Sequence, residues 1–336
     1  MKHFVKLCAL LMCLFAVFGC SRKDKKDSVS GSGEIRIGIA KIVQHVALDA
    51  CEQGIQDALS ARGIKFSADL QNANGDLTTA AQIANKYKSE KVDIAVGIAT
   101  PVAVALANAI KDIPVVFCTV TDPVGANLVT TLDRGEGNVT GLSDAIPTVD
   151  HIGFFKQIAG IKTLGYIYTS SEANSISAFA LVEEGCKKHG IALVSQSINT
   201  SADLRQAAQA IIGRIDGIYI TTDNTVFSAL PALIQVCREA KKPIFSADVT
   251  GALNGGCMIA SGFNYYKAGL AVGDMVADIL GGKKPEEIPV KLLSPEESDL
   301  LFDLDEAANC GITIPEALKN KANYIFNNGK LTEIPG

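Results

Sequence analysis

The strongest constraint on the fold is a regular alternation of strand-like and helix-like segments. Residues 35–40 and 92–97 are short apolar runs, whereas residues 47–62 and 77–89 carry apolar side chains at helical spacing. The same alternation returns over residues 164–246. Repeated switching between these two periods predicts parallel sheets with right-handed crossovers. We therefore predict an α/β chain of two doubly wound parallel-sheet lobes.

An internal repeat also indicates two lobes of one fold. Residues 91–100 match residues 214–223, since both open a strand with a basic residue, a β-branched residue and an aspartate, and both end at a polar residue. After an intervening helix, residues 111–117 match residues 241–245. Two similar lobes facing each other would form a ligand cleft between the carboxyl ends of their strands.

The chain length suits this division. The 336 residues include a body of about 300, enough for two domains of roughly 150 residues each. We expect residues 34–145 with about 262–288 to form the first lobe. Residues 146–261 with about 289–336 would form the second. The chain would then cross between the lobes several times and form a multi-segment hinge.

The first twenty residues are typical of a secretory leader. Lys2 and Lys6 supply a positive start, and residues 7–18 are almost wholly apolar. This run is too short to span a bilayer, which needs about 20 apolar residues. Gly19 before Cys20 resembles the lipobox of bacterial lipoproteins, which implies cleavage before Cys20 and a lipid on its sulfur. An ordinary leader with a chance cysteine is the alternative.

Residues 21–33 are predicted to be a flexible tether. They consist mainly of charged residues, serine and glycine, which cannot bury enough surface to offset the entropy of ordering. A lipid on Cys20, a tether and a globular body together predict an exported protein that is anchored to the membrane from outside the cytoplasm.

The composition and the absence of several motifs exclude some classes of function. A net charge of −5 argues against nucleic acid as a partner. The chain has no phosphate-binding loop or dinucleotide fingerprint, and residues 141–145 lack the second glycine of a nucleophile elbow. The four histidines have no metal-binding spacing and no cysteines form a Cys-x-x-Cys pair. We expect a binding protein with no enzymatic activity, no cofactor and no metal.

Polar residues at the predicted strand ends are the candidate ligand contacts. They are Gln44, His45, Thr100, Thr121, Asp122, Ser171, Asn174, Asp223, Asn224 and Asp248. Helix N-termini and hydroxyls suit a carboxylate, and a buried aspartate suits an ammonium group, for which we select Asp223 and Asp248. Capping of a helix or turn is the alternative role for each aspartate. Aromatic candidates for apolar contact are Phe117, Tyr168, Tyr219, Phe245 and Tyr265.

Several of these segments resemble one family of proteins. The segments are residues 41–50, 99–101, 111–117, 120–126, 137–144, 170–175 and 222–226. They resemble the tryptophan/tyrosine-type substrate-binding lipoproteins of ABC transporters, and the similarity runs from about residue 34 to about residue 315. The resemblance implies a type 1 periplasmic-binding-protein fold with a three-segment hinge. It also implies capture of an aromatic amino acid and its delivery to a membrane permease driven by a cytoplasmic ATPase.

The mechanism expected for such a protein is hinge closure, because a ligand that contacts both lobes favours the closed state. Two other functions remain open at this point. One is a nucleoside- or other solute-binding lipoprotein, or a sensor, of the same fold. The other is an exported hydrolase that uses Asp122, Asp223 and Asp248.

Overall fold

The computed structural model describes residues 34–294 and 297–334, which form two sheets flanked by helices. The predicted leader, the tether and the lipid attachment at Cys20 lie outside these residues. Within the described part of the chain, no helix combines the length and the apolar character needed to cross a membrane.

The first sheet has six strands, all parallel, and its elements come from two separate parts of the chain. The first part contains β1 (Ile35–Lys41), α1 (Val46–Ala61), β2 (Phe66–Asn72), α2 (Leu77–Glu90), β3 (Ile94–Ile98), α3 (Thr100–Ala109), β4 (Val115–Cys118) and β5 (Val139–Ser143).

The second sheet has eight strands. Its elements begin with α4 (Thr148–Ala159), β6 (Thr163–Thr169), α5 (Ala173–His189), β7 (Ala192–Ile198), α6 (Leu204–Ile211), β8 (Gly217–Ile220), α7 (Asn224–Ser228), α8 (Leu230–Glu239), β9 (Ile244–Ser246) and β10 (Ile259–Phe263). The chain then returns to the first sheet through α9 (Tyr265–Leu280) and β11 (Lys291–Leu292). It ends on the second sheet with β12 (Ser298–Asp303), α10 (Leu304–Asn309), α11 (Glu316–Lys319), β13 (Tyr324–Asn327) and β14 (Lys330–Glu333).

The strand orders confirm the predicted α/β class with two doubly wound lobes. The order is β11-β5-β4-β3-β1-β2 in the first sheet and β14-β13-β12-β10-β9-β8-β6-β7 in the second. Antiparallel pairing occurs in the second sheet between β10 and β12 and between β13 and β14. The carboxyl ends of the parallel strands in each sheet form one edge, and these edges carry the loops that make the site.

The chain passes between the sheets three times within the described residues, after β5, after β10 and after β11. The last two passages differ from the boundaries expected near residues 262 and 288. Phe263 still pairs with Ser298 in the second sheet, and Lys291 pairs with Leu142 in the first sheet. Strand pairing therefore moves both boundaries toward the C-terminus.

Strand β5 was not predicted, because Thr140, Gly141 and Ser143 give it no strand-like run of apolar residues. All five of its residues are nevertheless buried. The Thr140 hydroxyl donates to the carbonyl oxygen of Ile288 at 2.9 Å, which satisfies its hydrogen bonding. A Cβ at Gly141 would lie 2.1 Å from the Phe117 carbonyl oxygen, so close pairing with β4 favours glycine there.

Residues 224–239 form two helices, α7 and α8. The break is at Ala229, whose backbone leaves the helical region with a φ of −122°. Pro231 lies in the first turn of α8, where its missing N–H group does no harm. Asp76 caps α2, since it accepts a hydrogen bond from the backbone N–H of Thr79 at 2.5 Å.

Helix α9 packs directly on α1, and this contact attaches the returning chain to the first lobe. Gly269 lies in the contact, where a Cβ would come within 2.3 Å of the Cys51 carbonyl oxygen. Leu48 and Ile55 of α1 and Val272 of α9 are buried in the same core. The backbones of the two helices therefore approach more closely than any larger residue at Gly269 would permit.

We predict that Gly269→Ala lowers the free energy of unfolding by about 1–3 kcal/mol, because an added methyl group overpacks the α1–α9 contact. Thermal and urea unfolding followed by circular dichroism would measure the change. Gly213→Ala is the matched control, because a Cβ there meets no atom within 4 Å. Equal unfolding midpoints for the two variants would contradict this view of the contact.

Candidate functional site

Loops from both sheets converge on a small cavity between the lobes. The first lobe contributes His45, Leu48, Ala99, Thr100, Thr119, Thr121, Asp144 and Tyr265, and the second contributes Asn174, Thr222, Asn224, Phe227 and Asp248. The cavity has a volume of about 10 Å³, which corresponds to roughly one water molecule. A ligand the size of an amino acid therefore enters only when the lobes separate.

Direct contacts join the lobes across this cleft. The hydroxyls of Thr121 and Thr222 lie 2.9 Å apart, and the Ser177 hydroxyl donates to Asp122 Oδ2 at 3.0 Å. The ring of His45 stacks on that of Phe227, with centroids 6.0 Å apart and an interplanar angle of 29°. The structure is thus in a closed arrangement, and each of these contacts must break when the cleft opens.

Asp144 lies at the end of β5 and is the main site residue that the sequence analysis missed. Its carboxylate accepts hydrogen bonds from the Tyr265 hydroxyl at 2.9 Å and the Thr121 hydroxyl at 3.1 Å. Burial raises its pKa, although both hydrogen bonds oppose that shift. It follows β5 directly, so recognition of that strand would have placed it with the other strand-end residues.

Asp248 faces the same cavity from the second lobe, as the sequence predicted. It follows β9 and accepts a hydrogen bond from the backbone N–H of Thr250 at 2.7 Å. Burial raises its pKa to about 7, and the negative charge of Asp144 adds to this shift. Neither carboxylate forms a salt bridge with a residue in the described part of the chain. The cavity therefore holds two acidic groups and no compensating cation from the described residues.

The N-terminus of α3 also points at the cavity. The first backbone hydrogen bond of this helix runs from Ala103 to the carbonyl oxygen of Ala99, which leaves earlier N–H groups for other partners. Ala99 has φ 74° and ψ 155°, a region that is nearly restricted to glycine. Thr119 also lines the cavity with a positive φ of 54°. Such strain persists where the surrounding structure enforces it, typically at ligand sites.

The position of Asp223 does not match the ammonium-binding role that we expected for it. It is fully buried but does not line the cavity. It accepts hydrogen bonds from the Thr169 backbone N–H at 2.7 Å, the Thr169 hydroxyl at 2.8 Å, the Ser175 hydroxyl at 2.7 Å and the Val226 backbone N–H at 3.0 Å. These bonds cap α7 and connect it to β6 and α5, as the capping alternative anticipated.

Glu172 is a second buried carboxylate that is hydrogen-bonded within its own lobe, and this role was not predicted from the sequence. It accepts hydrogen bonds from Asn224 Nδ2 at 2.6 Å, from Asn174 Nδ2 at 3.3 Å and from the Thr225 backbone and hydroxyl at 3.2 and 2.7 Å. Asn174 Nδ2 also donates to the Thr222 carbonyl oxygen at 3.0 Å. Glu172 therefore orients both asparagines that line the cavity.

His45 lies immediately before α1, and burial lowers its pKa to about 4, so the imidazole is neutral at pH 7. The carboxamide of Asn224 lies beside the ring and favours its protonated form. Even so, neither ring nitrogen makes a hydrogen bond of normal geometry to any residue in the described ranges. His45 thus presents unsatisfied polar atoms next to the cavity.

The other predicted residues are divided between the cavity and its surroundings. Thr100, Thr121 and Asn224 line it, whereas Gln44 and Ser171 are exposed and do not. Asp122 bonds Ser177 beside the cavity. Of the candidate aromatics, Tyr265 lines the cavity, while Phe227 lines it without having been predicted. The described residues contain no cluster of three or more potential metal ligands.

Comparison with known proteins identifies relatives over most of the chain. A model of the family described as ABC transporter substrate binding protein matches residues 36–325. The chain is 34% identical over 298 residues to a tyrosine-binding protein of Clostridioides difficile, covering 85% of this chain and 86% of that protein.

Many solved structures share the fold, and three of them are at least 31% identical to this chain. A conserved domain protein from Vibrio cholerae is 40% identical with a TM-score of 0.84, and an ABC domain in complex with L-Trp from Streptococcus pneumoniae is 31% identical with a TM-score of 0.83. Each match covers 88% of this chain and 100% of the other. A ligand-free, open substrate-binding protein with adhesive properties from Clostridium difficile is 35% identical with a TM-score of 0.63, covering 84% and 96%.

The contrast between these scores agrees with the closed cleft. The open structure has a higher identity than the L-Trp complex but a lower TM-score, as expected when similar lobes are differently oriented. The relatives are substrate-binding proteins and not enzymes, so the hydrolase alternative is not supported. The two lobes have the type 1 periplasmic-binding-protein fold, and the chain belongs to the family of ABC transporter substrate-binding proteins.

Proposed function

We propose that the protein captures an aromatic amino acid between its lobes for uptake by an ABC importer. The observation that carries this proposal is the pair of buried carboxylates, Asp144 and Asp248, which face one cavity from opposite lobes without a cation from the described residues. An α-ammonium group would supply the missing positive charge. The names of a tyrosine-binding relative and of an L-Trp complex support a ligand with an aromatic side chain.

The rest of the cavity suits the other parts of such a ligand. The N-terminus of α3 at Thr100 can bind the α-carboxylate, because free backbone N–H groups and the helix dipole both favour an anion. Leu48, Phe227 and Tyr265 supply apolar and aromatic surface for a ring.

Ligand capture is coupled to closure through charge. Closing the cleft takes both carboxylates out of water, which is unfavourable while they remain ionised and unpaired. An ammonium group bound between them removes this penalty only in the closed state. The ligand thereby has a higher affinity for the closed form and shifts the population toward it.

Export, a lipid on Cys20 and delivery to a permease with its ATPase belong to the same proposal. The sequence of residues 1–33 supports the first two, and membership of the family supports the third. The anchor would hold the protein beside its transporter, and the closed form would be the one that docks.

Calorimetric titration of the body from residue 34 onward tests the ligand class. We expect at least one of L-tyrosine, L-tryptophan and L-phenylalanine to bind with a Kd in the micromolar range or below, which is about −8 kcal/mol or more favourable. The matching acids that lack the α-amino group should bind at least tenfold more weakly, because they leave the carboxylates unpaired. Binding of nucleosides in place of every aromatic amino acid would refute the proposal.

We predict that Asp144→Asn weakens binding of the best aromatic amino acid by about 10- to 100-fold, since a hydrogen bond to a charged group contributes about 1.5–3 kcal/mol. The melting temperature without ligand should be unchanged or raised, because the amide removes a buried charge. Asp112→Asn, at an exposed position outside the cavity, is the matched control. A loss of affinity equal to that of the control would exclude Asp144 as the ammonium partner.

The pH dependence follows from Asp248. Its pKa of about 7 in the closed, unliganded cavity means that it binds a proton there near neutrality, whereas an ammonium ligand favours the ionised form. For the fraction of unliganded protein that is closed, affinity should therefore rise with pH by up to about tenfold per unit between pH 5 and 7, and ligand binding to that fraction near pH 7 should release a proton. Among the facing groups, Asp144 also has a raised pKa, while His45 stays neutral over this range.

Titration in buffers of different ionisation enthalpy would measure the released proton. Asp248→Asn should flatten the pH profile. A profile that stays equally steep in this variant would assign the titration to another group.

A further inference from the structure

We propose that the site selects aromatic amino acids whose ring carries a hydrogen-bonding atom, and that His45 and Asn174 recognise that atom. Tyrosine and tryptophan would then bind more tightly than phenylalanine. This inference rests on the proposed function, since it concerns the side-chain end of the same cavity.

The first observation is the unsatisfied imidazole of His45. Its two nitrogens are buried and make no hydrogen bond to any residue the structure describes, although the ring is fixed by stacking on Phe227. A neutral imidazole has one donor and one acceptor. Buried polar atoms of this kind are nearly always paired with protein or with water in folded proteins. A ligand that displaces water from this cavity must therefore supply the partner itself.

The second observation is the carboxamide of Asn174, which is 3% exposed and lies in the cavity wall. Its nitrogen donates to the Thr222 carbonyl oxygen and to Glu172, and this pairing fixes the orientation of the amide. Its oxygen is left buried without a partner among the described residues. Asn174 therefore presents a preoriented acceptor whose position depends on the buried Glu172.

Asp144 and Asp248, the proposed ammonium partners, interact electrostatically with each other. His45 stacks on Phe227. We therefore assign the ring of the ligand to the part of the cavity wall formed by these two side chains, called here the imidazole end. Leu48, one turn after His45, adds to the apolar surface that an aromatic ring needs there.

The chemistry of the three rings differs at this end. A phenol hydroxyl can donate one hydrogen bond and accept another, and an indole N–H can donate one, but a phenyl ring can do neither. A phenyl ring would seal the polar atoms of His45 and Asn174 in the closed cavity without partners. Sites built to bind a hydroxyl or N–H group discriminate strongly against analogues that lack it, for this reason.

The test is calorimetric titration of L-tyrosine, L-tryptophan and L-phenylalanine into the wild type and two variants. In the wild type, the better of tyrosine and tryptophan should bind about 10- to 100-fold more tightly than phenylalanine. His45→Phe keeps a ring to stack on Phe227 but removes both nitrogens, and Asn174→Leu replaces the amide with an apolar side chain of similar size. Both variants should bring this ratio close to one, chiefly by weakening the ligands with polar rings.

Asn85→Ala, at an exposed position on α2, is the control and should leave the ratio unchanged. Equal affinity of the wild type for all three amino acids would overturn this inference but leave the proposed function intact. An equal loss of affinity for all three in both variants would assign His45 and Asn174 a merely structural role and overturn it as well. Failure of the wild type to bind any aromatic amino acid would instead refute the proposed function.

Discussion

The burial of carboxylates at the facing edges of two sheets is the interaction on which the site depends. These carboxylates are of two kinds. Asp223 and Glu172 each accept hydrogen bonds from four donors, so their oxygens have partners within one lobe and they hold its loops in place. Asp144 and Asp248 have fewer donors and face each other from opposite lobes. The first pair makes the walls rigid, and the second makes closure conditional on a positively charged partner.

This distinction explains how much of the site could be predicted from the sequence. The strand-helix alternation gave the fold class and brought His45, Thr100 and Asp248 to one cavity, because parallel strands place their polar ends at the same edge. It could not separate Asp223 from Asp248. Both follow a short strand, and only the donors that surround each in space decide which one is already satisfied.

Asp144 was missed for a related reason. It follows β5, whose threonine, glycine and serine are dictated by close pairing with β4 and by a hydrogen bond to a carbonyl in the returning chain. Such tertiary contacts override local strand propensity. The same limit applies to β13, which is partly exposed, and to β14, which is fully exposed and carries no continuous apolar run.

The return of α9 to the first lobe affects the order in which the protein folds. The face of α1 that carries Leu48, Cys51 and Ile55 is covered by a helix that comes after the whole second sheet up to β10 in chain order. Contacts of such long sequence separation form late, because the intervening chain must first be ordered. The first lobe therefore cannot complete its core as the chain grows, and its folding is coupled to that of the second. The crossings that place the two lobes on either side of the cavity are thus also the route by which α9 returns to complete the first lobe.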